Sequence, residues 1–327
     1  MMRTSTLRSR TGRGASAAVA LLTSAALLTG CVIGDVDQDG GDGGDGGDSA
    51  ISTESAGGTP QPTTSGAEED PDSTGSTGDL EVPADLGEVS VAVLDDGKLL
   101  TGGSLADGGD FTDAAWSTSK VPLSIAALRH AGDGGDEAAV EQVSGNVRQA
   151  ITASDNAAAD ALWDSLGDPA TAASQVEDVL AEAGDGAGVT SVPSERPRIE
   201  FSAYGQTQWS LGDQARFAAR LGCLDSAGPV VEAMGQVDPG QSYGIGRFDD
   251  ALFKGGWGPG NDGRYLVRQF GLVPGADGTV VPVAVAAVAP DGSYEAAQGV
   301  LDDLVEALRD RISGATGVTP PGEQGDC

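Results

Sequence analysis

The chain has 327 residues, 50 of them acidic and 18 basic, with a single histidine and a formal net charge of −32. A field of that sign repels nucleic acid and anionic lipid, which excludes nucleic-acid partners and reads as a well-solvated surface. Its three cysteines form no CxxC pair, so no metal site of that type exists, and no cofactor is expected.

Arg3, Arg8, Arg10 and Arg13 precede an uncharged apolar run from Ala15 to Leu28. That is the pattern of an export signal, too short for a comfortable transmembrane span. It ends in Leu28-Thr29-Gly30-Cys31, which resembles a bacterial lipobox. The expectation is a signal peptide over residues 1–30 and a lipid on Cys31 that anchors an exported protein to the outer face of the cell membrane. Cleavage there leaves 14 basic and 50 acidic residues, a formal charge of −36.

Residues 31–79 are almost entirely Gly, Asp, Ser, Thr and Pro after the first few positions, a composition that cannot bury enough apolar surface to offset its ordering entropy. They read as a flexible linker with a root-mean-square reach of roughly 40 Å. Asp35, Asp37, Asp39 and Gly40 match the opening of a calcium loop, but its twelfth position is Gly46, where a bidentate Glu is needed. A solvated acidic tract is the better reading.

Residues 80–314 have the length and apolar content of one domain, followed by a tail over 315–327. Val89-Ser90-Val91-Ala92-Val93 alternates as a strand does, and Asp95-Asp96-Gly97 supplies a turn before Lys98-Leu99-Leu100-Thr101. Helical patterns follow over 117–130, 137–152, 156–166, 170–183, 208–221 and 229–235. Strand-like runs cover 251–256, 265–273 and 280–288, and an amphipathic helix closes the domain over 294–312. The order predicts an α+β fold: a largely antiparallel five-stranded sheet flanked by helices, plus a helical lobe.

Ser117-Thr118-Ser119-Lys120 opens a predicted helix, which sets the Ser117 hydroxyl and the Lys120 amine on one face, one turn apart. Serine needs a base to take its proton, and a partly desolvated lysine near a helix N-terminus can serve. The backbone N–H of Ser117 is a natural oxyanion donor. Ser154-Asp155-Asn156 precedes the helix over 156–166, and Lys254-Gly255-Gly256 lies on a strand. His130, the only histidine, lies 13 positions beyond Ser117 on the same helix, roughly 20 Å away. A Ser-His-Asp triad is therefore not expected.

The three motifs stand in the order S-x-x-K, S-D-N, K-T-G. Residues 80–314 thereby resemble the class A β-lactamases and penicillin-binding enzymes, in element order as well as motifs. The resemblance implies that Ser117 is the acylated nucleophile, Lys120 its proton acceptor and Ser154 a relay to the leaving group. It further implies that Asn156 holds a substrate amide and Lys254 attracts a terminal carboxylate, with the N–H of Trp257, just after Gly256, as second oxyanion donor. The implied partners are the membrane, through Cys31, and a peptidoglycan-like peptide or a β-lactam, met by a monomer. Arg264 and Arg268, four apart on one strand, could add a second positive charge or pair with surface acids. Trp116 and Trp257 adjoin the motifs and could line the cleft, whereas Trp163 and Trp209 are expected in the core.

Three departures qualify the resemblance. Gly255 replaces the threonine of K-T-G, and only 37 positions separate Ser117 from Ser154, a short connection that could leave one wall of the cleft missing. The deacylating glutamate of the E-x-x-L-N loop has no counterpart in 191–207, where Glu195 and Glu200 are the acids present. A catalytically degenerate binding or scaffolding lipoprotein and a small-ester hydrolase therefore stand as alternatives to a serine acyltransferase. Cys223 and Cys327 could form a disulfide in an oxidising compartment or remain free thiols.

Overall fold

The structure, a computed structural model, describes residues 77–106, 109–184 and 190–322. Cys31, Cys327, the expected signal peptide and the expected linker up to residue 76 lie outside them.

The alternating run at the start of the domain forms β2 (Glu88–Asp95), turned by Asp96 and Gly97, both left-handed, into β3 (Lys98–Gly103). Ahead of them, β1 (Thr77–Asp79) pairs parallel to β3, Thr77 opposite Leu99. β1 thus takes up the last three residues of the expected linker, and the sheet has six strands and is mixed rather than five-stranded. Thr-Gly-Asp carries no strand pattern of its own; the exposed edge of β3 supplies the pairing that makes it one.

After the short strand β4 (Thr112–Ala114) the chain enters a 3-10 turn, Trp116–Ser119, which leads into α1 (Lys120–Asp133). Ser117 thus sits in a tight turn before the helix proper. Three helices follow, each capped by an aspartate at its start. Asp136 caps α2 (Glu137–Thr152), Asp155 caps α3 (Asn156–Ser165), and Asp168, followed by Pro169 at the first position, caps α4 (Pro169–Glu182). The helix expected from Gln208 begins three residues later, because Gln208–Ser210 is spent as β5 pairing with β4. Ser210 then caps α5 (Leu211–Arg220), and α6 (Gly228–Met234) follows.

The last three strands are β6 (Leu252–Pro259), β7 (Tyr265–Pro274) and β8 (Val280–Val288), and Ser293 caps α7 (Tyr294–Ala307). The closing helix breaks at Leu308 into α8 (Arg309–Ser313). Strand order is β1-β3-β2-β8-β7-β6, antiparallel throughout except at β1. The residues after 314 are not all tail: Ala315 is buried, and Val318 bridges Val280.

The side-chain period of two in β8, Val-Val-Pro-Val-Ala-Val-Ala-Ala-Val, divides the core. Val281, Val283 and Val285 face α7, whose Leu301, Leu304 and Val305 are fully buried. Ala284 and Ala286 face the other way, and their small size lets α5 lie close on the sheet. Trp209, Phe217 and Phe270 fill that layer with ring centroids 5.3 to 6.0 Å apart, each pair contributing about 0.5–1.5 kcal/mol beyond its buried area. The Trp116–Ser119 turn, which leads into the α1–α4 lobe, packs on β6, and the candidate site lies at that junction.

Candidate active site

The strand β6 explains how three distant motifs meet. Its sequence Lys254-Gly255-Gly256-Trp257-Gly258 alternates, so positions 254, 256 and 258 share one face. On that face the Lys254 amine donates to Ser154 Oγ at 3.0 Å. A Cβ at Gly256 would stand 2.8 Å from the Ser117 nitrogen, and one at Gly258 would stand 2.5 Å from the Trp116 indole. Glycine at both positions is what allows β6 to lie directly on the Ser117 turn. The N–H groups of Ser117 and Trp257, the expected oxyanion donors, thus belong to segments in contact.

Lys120 reaches the second motif from the first. Its amine donates to the Ser154 carbonyl (2.6 Å), to Asn156 Oδ1 (2.8 Å) and to the Asp155 carbonyl (3.3 Å), and lies 3.5 Å from Ser154 Oγ. Ser154 therefore stands between two lysines, with Lys254 also donating to the Gly255 carbonyl at 2.7 Å. Ser117, Lys120, Ser154 and Lys254 are all buried. Trp116 and Ser154 both have left-handed backbone, φ 50° and 56°, a conformation that costs of order 1–3 kcal/mol for a non-glycine residue and is met where the surrounding structure imposes it.

A small cavity of about 10 Å³ touches Ser117, Lys120 and Asn156, and is closed by Trp116, Phe201, Ser202, Tyr204 and Gly205. It has the size of one water molecule, and no carboxylate lines it. Glu195 and Glu200 are both exposed, so neither faces that cavity. One acid close to Lys120 was missed by the motif reading. Asp160 lies one helical turn beyond Asn156, half-buried, and accepts from Tyr204 Oη at 2.8 Å. Burial lifts its carboxyl above the ordinary value, against the Tyr204 hydrogen bond and the charges of Arg196 and Lys120. The i,i+4 spacing from Asn156 was its one signal in the sequence; Phe201 and Tyr204 had none.

Several expectations are corrected. Neither arginine of β7 adds charge to the cleft. Arg264 pairs with Glu88 and Asp262 at the surface, and Arg268 is fully buried, donating to backbone carbonyls and to Gln214. Burial pushes the Arg268 guanidinium down to about 10, with the charges of Asp113 and Asp110 opposing. The Trp257 ring lies on the opposite face of β6, 5.1 Å from the Tyr294 ring, whereas Trp116 does border the site, edge-on to Phe201 at 5.0 Å. A side chain at Gly255 would start towards Tyr243 Oη (3.6 Å) and Gln269, away from Ser117. His130 is exposed, beside Gln175. The short interval between Ser117 and Ser154 is taken up by α1 and α2.

Among the described residues no helix is long and apolar enough to cross a membrane, and no cluster of His, Cys, Asp and Glu could hold a metal ion. Cys223 is disulfide-bonded; Cys31 and Cys327 both lie outside the described residues.

No protein-family model matches the chain, and no curated protein matches it by sequence. Solved structures do. A β-lactamase from Burkholderia vietnamiensis aligns with TM-score 0.54 at 22% identity, over 70% of this chain and 93% of that one. A β-lactamase from Chitinophaga pinensis aligns with TM-score 0.54 at 17% identity, over 69% and 94%. A variant of the last common ancestor of Gram-negative class A β-lactamases aligns with TM-score 0.50 at 21% identity, over 70% and 97%. The fold is that of the class A β-lactamases.

Proposed function

We propose that this chain, with its β-lactamase fold, is a lipid-anchored envelope serine acyltransferase or hydrolase. In this reading it acts as a monomer and is acylated at Ser117 by D-alanyl-peptide-like or β-lactam substrates. The observation that carries the reading is the convergence of Lys120, Ser154 and Lys254 beside the Ser117 turn through hydrogen bonds spanning 34 and 100 positions of sequence.

In the reaction Lys120 first gives up a proton and with it one of the three hydrogen bonds it donates; Ser117 Oγ then attacks the acyl carbon while its proton passes to the neutral Lys120 amine. A C–O ester bond forms, the C–N bond of the amide or lactam breaks, and the leaving nitrogen takes a proton from Ser154, which recovers one from the lysines beside it. The N–H groups of Ser117 and Trp257 stabilise the oxyanion, Asn156 holds a substrate amide, and Lys254 balances the substrate carboxylate. Deacylation differs from that of a resistance enzyme. With no carboxylate lining the cavity at Ser117, water beside the ester lacks a general base, and a β-lactam remains attached. An anchor on Cys31 and a tether of roughly 40 Å suit an enzyme that samples the inner part of the wall.

The test uses the full chain, solubilised in detergent, and its Ser117→Ala variant, each incubated with a reporter penicillin and with an activated ester while intact mass is followed. A persistent adduct on the wild type alone is expected. Rapid loss of the adduct with hydrolysis of the penicillin would indicate a lactamase, and turnover of the ester without penicillin labelling a small-ester hydrolase. A wild type inert to both reagents would leave the catalytically degenerate binding protein, for which the absent carboxylate already speaks.

A further inference from the structure

Beneath the turn that carries Ser117 runs a buried polar chain that the mechanism above does not use. It starts at Arg268 on β7, whose Nη1 donates to the carbonyls of Asp113 (2.8 Å) and Ala114 (3.0 Å). Its Nη2 donates to the carbonyl of Trp209 (2.8 Å) and to Gln214 Oε1 (2.7 Å). Gln214 on α5 passes the chain on, donating from Nε2 to Thr118 Oγ1 at 2.8 Å. Thr118 Oγ1 in turn donates to the Ala115 carbonyl at 2.5 Å, which also accepts the Thr118 N–H at 3.1 Å. Arg268, Gln214 and Thr118 are each fully buried.

A cation in the interior is expensive: its desolvation costs several kcal/mol, and no carboxylate hydrogen-bonds Arg268 among the described residues. An apolar side chain could fill the same space more cheaply. What the guanidinium supplies instead is direction, because its donors form a rigid planar fork. Here that fork grips the carbonyls just before the turn and, through Gln214, the hydroxyl just after Ser117. Thr118 suits the end of such a chain because a hydroxyl accepts and donates at once. The opposite side of the turn is set by β6, which approaches to contact at Gly256.

We infer that the Arg268–Gln214–Thr118 chain positions the nucleophile, holding the Ala115–Thr118 turn so that Ser117 Oγ and its backbone N–H stay set against β6. The inference rests on the reading of Ser117 as the nucleophile. All three are positioning residues, and none lines the cavity at Ser117.

The experiment compares Thr118→Val, Thr118→Ser and Gln214→Leu in the full chain, with near-ultraviolet circular dichroism to establish folding. Two quantities are read: the acylation rate at saturating reporter penicillin, and amide hydrogen exchange of the segment 115–119. Thr118→Val keeps the shape and removes both hydrogen bonds, so acylation slows by ~10- to 100-fold. The penicillin concentration giving half-maximal rate stays unchanged, and protection of 115–119 is lost. Gln214→Leu behaves alike, and Thr118→Ser restores both readouts. A folded Thr118→Val variant that acylates at the wild-type rate, or keeps wild-type exchange, overturns the inference. If the wild type takes no label while exchange responds as described, the turn is held as inferred and the reading of Ser117 as nucleophile fails instead.

Discussion

Two adjacent glycines of β6 should respond in opposite ways to the same added methyl group. At Gly256 a Cβ would meet the Ser117 nitrogen at 2.8 Å and the Ala115 oxygen and Thr118 nitrogen at 2.9 Å. All three are backbone atoms, so nothing can rotate aside, and β6 must part from the turn by about 0.5 Å to reach ordinary contact. Overpacking of this kind costs about 1–3 kcal/mol. Because the gap opens between the two proposed oxyanion donors, acylation of Ser117 should also fall by at least ~10-fold. At Gly255 the nearest atom is Tyr243 Oη at 3.6 Å, and neither glycine has a left-handed backbone. Gly255→Ala should therefore stabilise by about 0.4–1 kcal/mol, through the entropy lost by the unfolded chain. Urea unfolding followed by tryptophan fluorescence gives the first quantity, and the time course of the Ser117 adduct the second. If Gly256→Ala proves as stable as Gly255→Ala and acylates at the wild-type rate, β6 does not press on the nucleophile turn and the reasoning fails.

Two further outcomes follow from charge and covalent structure. Burial raises the Asp160 carboxyl above its ordinary 3.8, so between that value and the raised one the folded chain binds this proton more tightly than the unfolded chain. The wild type thus loses stability as pH rises through that window. Asp160→Asn retains an oxygen for Tyr204 and titrates nothing, so urea midpoints measured between about pH 3 and 7 should move in the variant's favour as pH rises; a shift the other way would show that Lys120 and Arg196 outweigh burial. For Cys223, disulfide-bonded, a partner is suggested by its neighbour: a Cβ at Gly222 would lie 3.1 Å from the Pro321 Cα, six residues before Cys327. Non-reducing digestion should yield a peptide joining Cys223 to Cys327, and linkage to Cys31 would refute both that pairing and lipid on Cys31.

The motifs were legible because each is local. Ser117 and Lys120 lie within one turn, Ser154-Asp155-Asn156 carries its own helix cap, and the alternation in Lys254-Gly255-Gly256-Trp257-Gly258 marks a strand. Strand and helix boundaries followed wherever periodicity was strong, as in Glu137–Thr152 and Val280–Val288, which match the expected ranges. They failed where pairing decided. Thr77–Asp79 and Gln208–Ser210 are strands only because β3 and β4 offer them edges.

From its amino acids alone, then, the chain declares the class of chemistry it resembles and the order of elements that would support it, since both rest on spacings of a few residues. Which side of each element faces Ser117 is another matter. That Gly256 rather than Gly255 touches Ser117, that Arg268 lies beneath the turn and not in the cleft, and that Asp160 and Tyr204 stand together beside it are contacts between segments 44 to 154 positions apart. Only the tertiary packing of these segments brings them together, because side-chain direction there is set by register and burial.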